Sequence, residues 1–271
     1  MPVTSNKYII QNMERLSFFD LSDGACLFTA EDIQESTWTN EQEDVYATGK
    51  NGVRIGSASR NKAARISITN GTILDGALAV QVGSDIVTET VTVPQREILT
   101  VAAGKATISY KAQGEAGSEI PFIYLRNSDG TLGERFSVDA TAGADKFSFA
   151  VATGEITVPT GGAVPDGSQI VVWYNVSVEN AKHVENLDTK FSREGKLVAE
   201  VWAKGMCDGK DYYGVVIFGR CKASGNFEMA FGSDPSVQSM EFEALSNTCS
   251  GSGSVLWDFY VYDGEDIETI D

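Results

Sequence analysis

The sequence predicts a mainly β protein, an antiparallel β-sandwich or barrel with one short packed helix. Three observations carry this reading. Apolar and polar residues alternate with period two, clusters of turn-forming residues separate the alternating runs, and only one stretch has clear helical spacing. Ala64, Ile66 and Ile68 alternate with Arg65, Ser67 and Thr69, and Phe147, Phe149 and Val151 with Ser148 and Ala150. Leu197, Ala199, Val201 and Ala203 share one strand face, opposite Glu200 and Lys204. Met240, Phe242 and Ala244 alternate with Ser239, Glu241 and Glu243. Successive strand side chains point to opposite sides, so each run describes a sheet with one buried face. The segment after Gln169 is apolar or aromatic at every position to Tyr174, which predicts a strand over 170–178 covered on both faces in its first half. Turn chemistry stands at Ser128-Asp129-Gly130, Thr160-Gly161-Gly162, Pro165-Asp166-Gly167 and Cys207-Asp208-Gly209-Lys210.

The helix is expected at about 72–82. Thr72-Ile73-Leu74-Asp75 has the form of a capping box, Leu74, Leu78 and Val82 make a stripe, and Gly83 supplies the stop. A weaker helical or loop segment is expected over 179–191. The stretch 31–51 is polar and acidic and reads as a long loop, with Trp38 and Tyr46 as candidate docking anchors, since aromatic residues anchor interfaces. Residues 86–168, rich in Val, Thr, Gly and Ala, read as a β-rich insertion into a core made of 1–85 and 169–271.

Charge and composition narrow the function. The 271 residues contain 21 Lys and Arg against 38 Asp and Glu, a net charge of −17. Gripping nucleic acid needs clustered positive charge, which this balance opposes. His183 is the only histidine, and Cys26, Cys207, Cys221 and Cys249 form no CxxC pair, so reduced thiols and no metal or cofactor are expected. No GxSxG elbow, phosphate-binding GxxxxGK[ST] or DxDxDG calcium loop occurs. Glu241 and Glu243 would stand roughly 7 Å apart on one strand face, but in so acidic a chain such pairs arise by chance. An enzyme is therefore not expected. The first twenty residues show no secretory signal, and no apolar stretch approaches the roughly 20 residues of a membrane span, so assembly in the cytoplasm without membrane contact is expected.

Charge is also unevenly placed. After Lys222 there is no Lys or Arg but ten acids, including Glu228, Glu241 and Glu243, whereas Arg54, Arg60, Lys62 and Arg65 cluster early. One reading is a solvated acidic face; the other is assembly, the basic region of one copy meeting an acidic region of the next.

The segments Thr48–Ile55 and Asn61–Gly71, the helix ending Gln81-Val82-Gly83, the stretch Ile123–Gly130, and the late pieces Ser224–Met229, Asp234–Gln238 and Phe242–Leu245 resemble, in that order, the major tail proteins of long-tailed bacteriophages. The resemblance spans about residues 48–262. It implies a virion protein: a tail tube subunit of β-sandwich type, six copies closing a ring whose inner strands form a continuous barrel, rings stacked into a tube, and long loops reaching the next ring. It also implies a tape-measure protein and tail-end proteins as partners, and phage DNA that passes without tight binding. For such a conduit, Glu228, Glu241 and Glu243 are candidate lumen-facing acids, because like charge repels phosphates. Arg54, Arg60, Lys62 and Arg65 are the candidate inter-subunit basic region. The insertion is expected to project outward. The alternatives are a surface β-sandwich that recognises carbohydrate or a receptor, with Trp38, Trp202, Trp257 and Tyr260 as a stacking platform, or another virion protein of the decoration or baseplate type.

Overall fold

The computed structural model describes residues 7–229, 231–233, 235–246 and 255–263. Cys249, Asp234 and the late acids Glu265, Asp266, Glu268 and Asp271 lie outside the described residues. The chain is mainly β, as the alternation predicts. Its elements run β1 Tyr8–Phe19, β2 Cys26–Ala30, β3 Ile33–Thr48, β4 Arg54–Asn70, α1 Asp75–Val82, β5 Val87–Thr100, β6 Lys105–Thr107, β7 Ala112–Gln113, β8 Phe122–Arg126, β9 Leu132–Val138, β10 Lys146–Ala150, β11 Glu155–Thr157, β12 Gln169–His183, β13 Glu194–Gly205, β14 Asp211–Ala223, β15 Gln238–Ala244 and β16 Asp258–Asp263.

Two compact units result, residues 1–86 with 184–271 and residues 87–183. The second differs from the expected insertion by the whole of β12. Pro165-Asp166-Gly167 turns the chain but does not return it to the first unit, because β12 pairs along its length with β5, from Gln169 opposite Thr100 to His183 opposite Val87. The segment expected to be helix or loop after Val178 is thus strand as far as His183. Ile170, Val171 and Val172 are fully buried, as a strand covered on both faces requires, and Trp173 opens to solvent.

In the first unit the strands follow the order β2-β1-β13-β14-β15-β4-β3, with β16 also on β14. Leu16, Phe18, Ile66, Leu197, Phe218 and Phe242 fill one core on one side of this sheet. Phe18 of β1 lies 5.4 Å from Phe242 of β15, ring centre to ring centre. Those strands are three places apart in the order, about 14 Å on a flat sheet, so the sheet curls over its own core. The second unit follows β5-β12-β8-β9-β10-β11-β6, with β7 also on β12, around Ile120, Ile123, Phe136, Phe147, Ile156 and Ile170. Its one parallel pairing joins β9 and β10.

The helix begins two residues later than its capping box suggests. Leu74 occupies the cap position without a side-chain bond. Thr72 Oγ1 instead donates to Asp32 and accepts from the Asn70 amide. The Leu74 N–H goes to Oε1 of fully buried Gln238 at 2.8 Å, and Gln238 Nε2 donates to Gln81, whose own amide donates to the Ser239 carbonyl. Of the predicted stripe Val82 is buried and Leu74 packs against the core, while Leu78 is half-buried; Ala77 and Val80 take the core-facing positions beside them, because the helix also docks on the sheet through these glutamines. Gly83 ends it in the left-handed region at φ 77°, and a Cβ there would stand 1.9 Å from the Phe191 carbonyl oxygen. Replacing Gln238 by Leu keeps the volume but leaves the Leu74 N–H donor and the Gln81 Oε1 acceptor without their partner, so urea denaturation of Gln238→Leu is expected to show a loss of about 1–3 kcal/mol.

Candidate functional site

The stretch expected to be a loop is strand. Residues 33–48 form β3 and pair with β4 from Ile33 opposite Asn70 to Thr48 opposite Arg54. Only the lower part belongs to the curled sheet, since β15 meets β4 between Arg65 and Asn70. From Glu41 to Lys62 every residue except Gly49 is exposed, so the ribbon leaves the unit as a bare two-stranded arm of about 25 Å. With both faces in water, the arm has no hydrophobic alternation by which to announce itself.

The arm is tied at its elbow. The ladder slips between Glu41 and Glu43, and Asn61 takes a left-handed conformation at φ 53°. Arg60 and Asn61 donate to opposite oxygens of the Glu43 carboxylate at 2.7 and 2.6 Å, holding its pKa below the ordinary 4.5. Ser59 donates to Asp44 beside it. At the tip the Arg54 guanidinium lies 3.9 Å over the Tyr46 ring. Val53 and Ile55 beside them are 61% and 71% exposed, an apolar tip without cover in the single chain.

Trp38, the other candidate anchor, lies outside the arm. It stands opposite Ile66 on the core side of β3, meeting Trp257 edge-on at 4.7 Å and Phe259 at 5.8 Å. Trp257 is fixed by donation from its Nε1 to Asn40. The supposed aromatic platform divides accordingly. Trp38 and Trp257 pack toward the core, whereas Trp202 and Tyr260 belong to the outer face, where the rings of Trp202 and Tyr213 meet at a tilt, 5.0 Å apart. Of the proposed anchors only Tyr46 is on the arm's exposed end.

The outer face of β3, β4 and β15 gathers the remaining candidates. Met240 and Phe242 are buried, and Glu241 and Glu243 point away from the core. Arg65 stands opposite Glu243 on the neighbouring strand, its guanidinium 3.6 Å from Glu243 and 4.0 Å from Glu241. A residue assigned to the basic region and two assigned to the acidic lining thus pair within one copy. Such exposed pairs contribute little, about 0–1 kcal/mol, but they cancel charge locally. Lys62 makes no ion pair among the described residues. Alongside runs an open groove of about 450 Å³, lined by Glu35, Thr37, Ser67, Asn226, Glu228 and Glu241. The structure therefore brings Glu228 beside Glu241 and adds Glu35, which the sequence reading missed because β3 was read as a loop.

No cluster of metal-ligating side chains occurs among the described residues. Cys26 and Cys207 are exposed and Cys221 is buried, where desolvation pushes its thiol up to about 12.

The model of the YomU/Tube protein family matches residues 8–257, nearly the whole described chain. The chain belongs to the YomU/Tube family. Among curated proteins none matches it. The family is one of phage tube-type structural proteins and not a family of enzymes. Among its described residues this YomU/Tube chain leaves open the arm, the edges of the curled sheet and its charged outer face.

The elbow ties its order to pH. Because the Glu43 carboxyl is held below its ordinary value, the tie is complete above that value and is lost as pH falls through the lowered one. Glu43→Ala at neutral pH, and acidification of the parent below about pH 4, are each expected to raise the intrinsic-rate-corrected amide exchange of residues 41–63. Exchange in β13 and β14 should stay unchanged in the variant.

Proposed function

We propose that the chain is a bacteriophage tail tube subunit whose copies join through their sheet edges into hexameric rings, which stack into the conduit for genome delivery. The observation that carries this reading is the first unit's sheet, open at both ends and prolonged at one of them by the bare arm. Beyond β3 no strand is paired among the described residues, and at the other end β2 covers β1 only from Leu16 to Phe19. Ile9 and Ile10 on the uncovered part of β1 are 48% and 52% exposed. Unpaired edges carrying apolar residues aggregate unless something covers them, and two free edges on one sheet suit head-to-tail closure into a ring. An isolated two-stranded ribbon is marginal in water. Its apolar tip finds cover on a neighbouring copy, most simply in the adjoining ring.

In this reading the outer face of β4 and β15 lines the bore. Glu35, Glu228 and Glu241 keep it negative and Arg65 moderates it, so DNA slides past without binding tightly. The tape-measure protein occupies the same bore before the genome, and the tail-end proteins cap the stack. Arg54 and Tyr46 serve at the arm's docking end and Arg60 at its elbow; Lys62, without an ion-pair partner among the described residues of its own copy, remains for a neighbour's acid.

Two experiments test the proposal. Val53→Asp with Ile55→Asp should leave the urea midpoint of the subunit within about 0.5 kcal/mol yet abolish tubes in negative-stain micrographs of concentrated protein. Tubes formed normally by that variant would remove the arm from assembly. Glu228→Lys with Glu241→Gln should preserve tubes but slow genome ejection from particles, and an unchanged ejection rate would take these acids off the wall.

A further inference from the structure

All three arginines of the second unit, Arg96, Arg126 and Arg135, stand on one face of its sheet. Register fixes this. Ile123, Ile170, Val172 and Phe136 point into the core, so their neighbours in sequence point out. Arg96 lies opposite Trp173, Tyr124 opposite both Val171 and Arg135, and Arg126 opposite Gln169. Over the paired stretch of β5, β12, β8 and β9 from Thr100 to Thr92 no carboxylate holds an outward register position; Glu134 sits in the bulge between Leu132 and Arg135. Among the described residues none of the three arginines has a carboxylate partner, although in the same unit Lys105 pairs with Glu155 and Lys146 with Asp139. In a chain with net charge −17, three cations kept apart from the acids need a reason.

The guanidinium groups are also held in place. Arg96 lies 5.6 Å from the Trp173 ring centre, Arg135 lies 4.7 Å from that of Phe122, and Tyr124 meets Trp173 edge-on at 5.6 Å. Arg126 donates to Gln169 at 2.6 Å, while its buried Nε lacks a hydrogen-bond partner in the single chain. Trp173, Phe122 and Ile98 are 37%, 37% and 41% exposed. Aromatic support fixes a guanidinium fork so that little freedom is lost when an anion docks. From β5 to β9 is three strand spacings, about 14 Å, which suits anions repeated along a polymer better than one small ion.

We propose that this face binds an acidic glycan, a linear polymer of sugars bearing carboxylates. The planar carboxylate matches the guanidinium fork through two parallel hydrogen bonds. Thr92, Thr100, Asn175 and Ser177, outward on β5 and β12, supply hydroxyl and amide groups for sugar hydroxyls. Single-stranded nucleic acid suits the face less well, because bases stack on open ring faces and here arginines cover those of Trp173 and Phe122. An acidic peptide strand suits it less well too, since β12 and β8 are interior strands and a strand added at the free edge of β5 would lie beside this face rather than across it. The site does not depend on ring assembly.

Affinity electrophoresis of the full chain in gels containing polygalacturonate tests it. Retardation is expected at low salt, with none in neutral galactan and a loss as salt is raised. Arg96→Ala with Arg135→Ala should weaken retardation at least tenfold, and Arg96→Lys with Arg135→Lys, which keeps charge but removes the fork, should fall between. Tube formation by the same variants, scored in micrographs, should match the parent, which separates this inference from the tube reading. No retardation by polygalacturonate, retardation indifferent to the substitutions, or tighter binding of oligothymidylate, polyglutamate or poly(glycerol phosphate) would overturn it. The panel of polymers on the parent chain decides alone if a variant fails to fold.

Discussion

The first unit depends on one geometric necessity: a single sheet has to hide its apolar side by bending over it. Among the described residues that unit has no second sheet, and α1 covers only part of the core. The contacts of Phe18 with Phe28 and Phe242 are where the bend closes. Large aromatic rings bury much apolar area each, so these residues repay the twist that brings β1 toward β15. Curling without closing has a cost, for among the described residues no strand pairs with the outer edges of β2 and β3. In a family of tube proteins, that incompleteness of the monomer is what makes sense of its surface.

Where a strand had one wet and one dry side, the sequence was a good guide. β13, β15 and the lower half of β4 were legible because burial imposes a period of two. The arm was not, because residues exposed on both sides are free of that period; Glu41–Thr48 owes its strand conformation to hydrogen bonds with β4, which no local pattern encodes. The unit boundary failed for a related reason. Pro165-Asp166-Gly167 is a strong turn, but the strand it leads into, β12, pairs with β5, some 70 residues earlier in the chain, and only the apolar run after Gln169 hinted at a buried central strand. The stop at Gly83 was legible from chemistry alone; the helix start was not, because its donor is satisfied by Gln238 from a distant strand.

Individual surface residues were read with mixed success. The outward direction of Glu241 and Glu243 followed from alternation with Met240 and Phe242. Their pairing with Arg65 did not, since register between β4 and β15 is set by the sheet order. Trp38 looked like an interface residue only because its strand had been taken for a loop. The arginines of the second unit carry no local pattern in the sequence. They lie up to 39 positions apart in the chain, 96 to 135, and become one surface only when four strands are laid side by side.

The pairing of Val87 with His183 has a consequence of its own. The two ends of the second unit lie side by side, so the whole module could be cut out and the gap bridged by a short turn without stretching what remains. Evolution can treat such a piece as cargo, gaining, losing or exchanging it between lineages, while the scaffold that carries it stays under separate selection.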